Sequence, residues 1–115
     1  MAMAYDTASE DVKKAAYPAV KWTVNNYYQL MRLKDLTNGE MNIINGPDEM
    51  LVCGLSGGAD GGIGSTYNVM YPTIRKIYDC FRAGDIRGAQ ETQKKADKII
   101  RAMLKYSVIP VCKLI

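Results

Sequence analysis

Residues 58–70 read Gly58-Ala-Asp-Gly-Gly-Ile-Gly-Ser-Thr-Tyr-Asn-Val-Met70, with four glycines in the first seven positions. Glycine is entropically costly inside a strand or helix. Such a run marks a backbone that turns sharply or passes close to something. Two nucleotide-loop readings fail on single residues. A P-loop needs Lys before Ser or Thr, and here Gly64 precedes Ser65. The dinucleotide fingerprint needs a glycine where Tyr67 stands. What survives is a strand, Ala59 to Gly64, whose end opens into Ser65 and Thr66.

Working outward, the neighbouring segments alternate. Upstream, Gly57-Gly58 stops a helix that carries Met50, Leu51, Val52 and Leu55 and has Asp48 at its start. Gly46-Pro47 breaks a second strand, Met41 to Asn45. Before it lies a helix with Tyr27, Leu30, Met31 and Lys34 at helical spacing, capped by Asn25 or Asn26 and ended by Asn38-Gly39. Ala19-Val-Lys-Trp-Thr23 reads as a first, mostly buried strand, preceded by a short helix from Ser9 to Ala16. Downstream, a helix from about Pro72 to Arg82 closes at Ala83-Gly84. Asp85 then caps the longest helix, about Ile86 to Tyr106, with Ile86, Ala89, Gln93, Ala96, Ile100 and Met103 on one face. Glu91 with Lys95, and Asp97 with Arg101, are spaced for ion pairs on its outer side. Alternation with short links predicts an α/β fold, with parallel strands joined by crossovers.

The chain of 115 residues suffices for a single domain, residues 1–115, with one core. A net charge of +3, spread along the chain, gives no reason to expect nucleic acid. There is no histidine, so the usual general base and the commonest metal ligand are absent. Cys53, Cys80 and Cys112 form no CxxC pair, which speaks against a structural zinc and fits reduced thiols. No apolar run approaches the ~20 residues needed to span a membrane. A cytoplasmic protein without membrane contact is expected.

In an α/β barrel the chemistry sits at the carboxyl ends of the parallel strands. The first strand offers Lys21 and Thr23, two residues apart and therefore on one side. The second offers Gly46, Asp48 and Glu49; the third offers Gly62, Gly64, Ser65 and Thr66. Lys21 is the unusual member, because it lies in an otherwise apolar strand. Burial depresses an amine's pKa, and a neutral amine can condense with a ketone to give a Schiff base. The plainer alternative is an edge lysine reaching water. Asp48, Glu49, Ser65 and Thr66 also have a plainer reading, as helix caps or dipole partners. Individually each signal is weak, and their placement on successive strand ends carries the case.

With these residues in view, the chain resembles the N-acetylneuraminate lyases (sialic acid aldolases) of the dihydrodipicolinate synthase superfamily. Ala19-Val-Lys21-Trp-Thr23 is similar to the strand carrying that family's Schiff-base lysine, and Asn45-Gly-Pro-Asp-Glu49 to its next strand end. Gly58 to Asn68 is close to its most distinctive stretch. The resemblance covers about residues 8–114. It implies that Lys21 attacks the keto carbon, forming an iminium that allows C3–C4 retro-aldol cleavage to pyruvate and N-acetylmannosamine. It also implies that Thr23, Gly46, Asp48, Glu49 and Ser65 hold the sugar acid. No metal and no cofactor are implied.

The family barrel is a (β/α)8 TIM barrel of ~250 residues. This chain holds material for about three parallel strands with flanking helices, resembling the sixth to eighth, so a partial barrel is expected. The family's Gly-Ser-Thr-Gly-Glu and Tyr-Asn-hydrophobic-Pro motifs are absent from these residues. Helices should cover one sheet face and leave the other to water. Raw strand edges invite pairing, so a homo-oligomer, or association with a chain supplying the missing strands, is expected. Three functions stay open: a lyase or its active-site part, a non-catalytic association module, and an aldolase for another 2-keto acid.

Overall fold

The computed structural model describes residues 27–114 of the chain. The expected Ser9–Ala16 helix, the Ala19–Thr23 strand with Lys21 and Thr23, and the Asn25 or Asn26 cap lie outside the described residues.

Helix α1 spans Tyr27–Leu36. Leu30 and Leu33, three apart, form its buried stripe. The chain leaves it through two left-handed residues, Asn38 (φ 51°) and Gly39 (φ 78°), which Asn and Gly tolerate best. The Gly39 N–H donates to Lys34 O at 2.7 Å, closing the helix end. Strand β1, Ile44–Asn45, leads through a 3₁₀ turn, Asp48–Met50, into helix α2, Leu51–Ser56. Strand β2, Gly61–Gly62, then returns parallel to β1 with Ile44 opposite Gly61 and Asn45 opposite Gly62. This is a βαβ unit, the repeat of α/β folds.

The strands are shorter than the expected Met41–Asn45 and Ala59–Gly64. Two of the three expected parallel strands are present among the described residues. Contacts reach slightly past the regular ladder: Asp60 N–H donates to Ile43 O and Ile63 N–H to Asn45 O, each at 2.8 Å. Glycine-rich β2 has little side chain to pack, which weakens pairing beyond those bonds.

Helix α3, Tyr67–Arg82, begins earlier than expected but breaks at Met70 (φ −134°, ψ 32°). Pro72 supplies no N–H and its ring crowds the preceding turn, so the regular helix starts only after the break. Gly84, with φ 82°, makes the turn into helix α4, Ile86–Leu104. As expected, Asp85 caps α4 by accepting from Gly88 N at 2.9 Å. Ala89, Thr92, Gln93, Ala96, Ile100 and Met103 are its buried face. Ile86, expected there, is exposed, because it precedes the stretch that packs on the core. The helix ends two residues earlier than expected, at Leu104, before Ser107 adopts a left-handed φ of 68°. The expected outer ion pairs are replaced: Glu91 pairs back to Arg87 at 3.4 Å, and Asp97 accepts from Gln93 at 2.8 Å. Helix α5, Val108–Leu114, follows.

The main core joins α2, α3 and α4 through Leu51, Leu55, Ile74, Ile77, Ala96 and Ile100. Full burial of one Leu or Ile contributes about 1.5–3 kcal/mol. A second cluster seats Leu30 and Leu33 of α1 on Met41, Ile43 and Ala59. Helices thus cover one face of the sheet, where Asn45 is buried and Gly62 meets Tyr67 and Leu51. The other face is open: Ile44 is 37% and Ile63 70% exposed.

Candidate active site

Because β1 and β2 are parallel, the turns that follow them, from Gly46 and from Ile63, emerge at the same end of the sheet. Gly46 is half-buried there, Asp48 is buried, and Glu49 and Ser65 are exposed. Asp48 and Thr66 tie the two turns together. The Thr66 N–H donates to Asp48 Oδ2 at 3.0 Å, and the Thr66 hydroxyl donates to the same oxygen. Gly64 makes this approach possible, since a Cβ there would collide with the Asp48 carboxylate.

These bonds revise the plainer reading of two residues. Neither the 3₁₀ turn nor α2 has a side-chain cap, so Asp48 caps no helix. Thr66 precedes α3 but makes no capping bond either, because its hydroxyl is engaged by Asp48. Burial raises the Asp48 pKa and the neighbouring Glu49 charge adds to the rise, while the two Thr66 bonds pull against it.

From beneath, Gln93 of α4 holds the same turn. Its Nε2 donates to Asp48 O at 3.0 Å and its Oε1 accepts from Val52 N at 3.2 Å. The sequence placed Gln93 on the buried face without seeing this role. An amide among Ala and Ile on an apolar stripe was the available signal. Asp60, within the glycine stretch, was also missed. Its Oδ2 accepts from Lys34 Nζ at 2.6 Å and from Ile43 N at 2.7 Å. Burial alone would raise its pKa, but the Lys34 bond, the Ile43 bond and the charges of Lys34 and Arg82 outweigh that and lower it.

Tyr67 is the third residue missed. Its hydroxyl is buried, without a hydrogen-bond partner among the described residues, and stands 2.5 Å from where a Gly62 Cβ would be. Burial, then the nearby Asp48 charge, push its pKa up. Tyr67 opens onto a groove of about 230 Å³ beside β2, lined also by Gly62, Tyr71, Ile74, Arg75 and Tyr78. The Arg75 and Arg82 guanidiniums lie 6.0 and 5.9 Å from the Tyr78 ring centre, within cation–π range. Among the described residues, no helix is long and apolar enough to cross a membrane.

An acid pair and hydroxyls beyond the carboxyl ends of parallel strands in a βαβ unit stand where α/β barrel proteins carry their chemistry. A family model for the dihydrodipicolinate synthetase family matches residues 2–115, and the chain belongs to that family. Membership brings the TIM-barrel architecture, of which the described residues form a mostly helical α/β part, and the chemistry of class I, aldolase-type lyases.

Proposed function

We propose that this chain carries the Schiff-base part of an N-acetylneuraminate lyase-type site. The observation that supports it most is the bond between Asp48 and Thr66, which draws two adjacent strand ends together and leaves Glu49 and Ser65 exposed beside it. An exposed carboxylate and a hydroxyl suit the polyol tail of a sugar acid. Gly46 and Thr23 complete the set by the family resemblance.

In this reading the neutral amine of Lys21 adds to the C2 ketone of N-acetylneuraminate and water leaves, giving an iminium. The C4 hydroxyl loses its proton, the C3–C4 bond breaks, and its electron pair moves into the iminium. N-acetylmannosamine departs. The remaining enamine is protonated at C3, and water releases pyruvate and restores the amine. The substrates are small molecules, and neither metal nor cofactor enters the cycle.

The test is pyruvate with borohydride on the 115-residue chain, read by peptide mass spectrometry. A reduced adduct on Lys21, lost in Lys21→Met, supports the reading; an unmodified Lys21 refutes it. Cleavage assays with other keto-sugar acids then test the rival 2-keto acid substrates.

A second reading, a non-catalytic association module, draws on the open sheet face with Ile44 and Ile63. Closure of the barrel by further strands, from a second copy or another chain, would enclose that face. Sedimentation as a monomer, alone and mixed with the remaining strands of a family barrel, would count against it.

A further inference from the structure

Within the aldolase reading, on which this inference rests, the acids Asp48 and Glu49 must be held in place beyond the strand ends. Their 3₁₀ turn has no side-chain cap, and neither has α2 behind it. Gln93 of α4 supplies the missing support from 41 and 45 residues away. It is 7% exposed. Its Oε1 accepts from Val52 N at 3.2 Å, and its Nε2 donates to Asp48 O at 3.0 Å and to Asp97 Oδ1 at 2.8 Å. A side-chain amide offers one acceptor oxygen and two N–H donors, and here all three are used.

The partners also fix which way this amide faces. The Asp48 carbonyl and the Asp97 carboxylate only accept, and the Val52 N–H only donates. Turned end for end, Gln93 would set oxygen against oxygen at Asp48 and Asp97, and N–H against N–H at Val52. Asp97 lies four residues along the same helix, so it orients the amide within α4 itself. The same helix shapes the surroundings of the exposed acid. Glu49 opens onto a groove of about 290 Å³ whose other walls are Asp97, Ile100, Arg101 and Leu104, all from α4.

We propose that Gln93, oriented by Asp97, is a positioning residue for tail recognition: it ties the turn carrying Asp48 and Glu49 to α4, and so sets both carboxylates for the polyol tail without itself touching substrate. The Schiff-base step at Lys21 does not need this tie. Discrimination of the tail does.

Two measurements on the full 115-residue chain test this. The first is exchange of side-chain amide protons with water, read by NMR. In the unsubstituted chain the Gln93 side-chain protons exchange about tenfold or more slowly than those of Gln90, which is exposed on the same helix. Asp97→Ala narrows that gap. Asp97→Asn keeps it, since the Asn oxygen still accepts. Gln93 protons that exchange as freely as those of Gln90, or that are indifferent to Asp97→Ala, overturn the tie.

The second is borohydride trapping on Lys21 with N-acetylneuraminate compared with pyruvate, which has no tail. Gln93→Leu lowers the ratio of the first to the second by about fivefold or more, the size of one lost hydrogen bond. Asp97→Ala lowers it by less, and Asp97→Asn leaves it as it was. Loss of folded chain would reduce both adducts alike and leave the ratio unmoved. An unchanged ratio in Gln93→Leu overturns the positioning role; if that variant does not fold, an unchanged ratio in Asp97→Ala does so. Absence of any pyruvate adduct in the unsubstituted chain refutes the aldolase reading and with it the role in recognition, while proton exchange still decides the tie.

Discussion

The helical pair α3 and α4 and the two-stranded sheet end are built on different principles. The helices bury Ile74, Ile77, Ala89, Ala96 and Ile100 against one another and against α2. The sheet has two residues in each strand, one open face, a smaller apolar cluster against α1, and polar ties at its ends. Those ties are Asp48 with Thr66 and Lys34 with Asp60. The site residues lie on the sheet side. Stability is therefore expected mainly from apolar packing among the helices, and the geometry of the candidate site from a few hydrogen bonds.

The largest expected contrast is between two isoleucines. Ile77→Ala, at a fully buried position, should destabilise by about 2–5 kcal/mol. Ile63→Ala, on the open face, should change stability by no more than about 0.5 kcal/mol. Urea denaturation of both variants measures this, and equal losses would erase the distinction.

Gly64→Ala comes next. The added methyl must displace the Asp48 carboxylate, so a loss of about 1–3 kcal/mol is expected by the same measurement. A neutral result would mean that the sheet end is held by something other than the Asp48–Thr66 bonds.

Smaller effects separate the two polar ties by the sign of their pH dependence. The Asp60 pKa is lowered on folding, so its contribution is present above the ordinary Asp value and lost as pH falls through the folded value. Asp60→Asn should therefore lose less stability than the unsubstituted chain on acidification from about pH 7 to pH 3. The Asp48 pKa is raised, so its favourable contribution is present below the ordinary value and lost as pH rises through the folded one. Asp48→Asn should flatten the stability profile in that opposite sense. Denaturation midpoints across this range test both, and shifts of the same sign would refute the assignment.

The smallest effect belongs to the exposed Arg87–Glu91 pair, 3.4 Å apart. Arg87→Ala should leave the denaturation midpoint within error, as surface pairs usually do.

Periodicity and caps made the helices legible. Leu30, Asp85, Gly84 and most of the α4 face could be read because each signal lies within a few residues, whereas buried Leu33 was not singled out and Met31, which was, is exposed. The extent of the strands could not, since ladder length depends on neighbours that a local pattern does not reveal. The strand-end position of Gly46, Asp48, Glu49 and Ser65 was legible. The bond between Asp48 and Thr66 was not, because it spans 18 residues of chain. Gln93 lay between these cases: its place on the buried face could be read, but its partners 41 and 45 residues away could not. The early start of α3 was hidden by Pro72, whose effect is felt two residues before it, at Met70.

That joint at Met70 has a mechanical consequence. The turn at residues 67–70 hangs on Thr66 O, which accepts from Val69 N and Met70 N at 3.1 and 3.0 Å. It therefore belongs to the segment leaving β2 more than to the rod that follows. Because Pro72 brings no donor back to the carbonyl at 68, twist in that segment dissipates at one pair of torsions. The loop after β2 can change length or tilt without unscrewing the rod from its bed on α4.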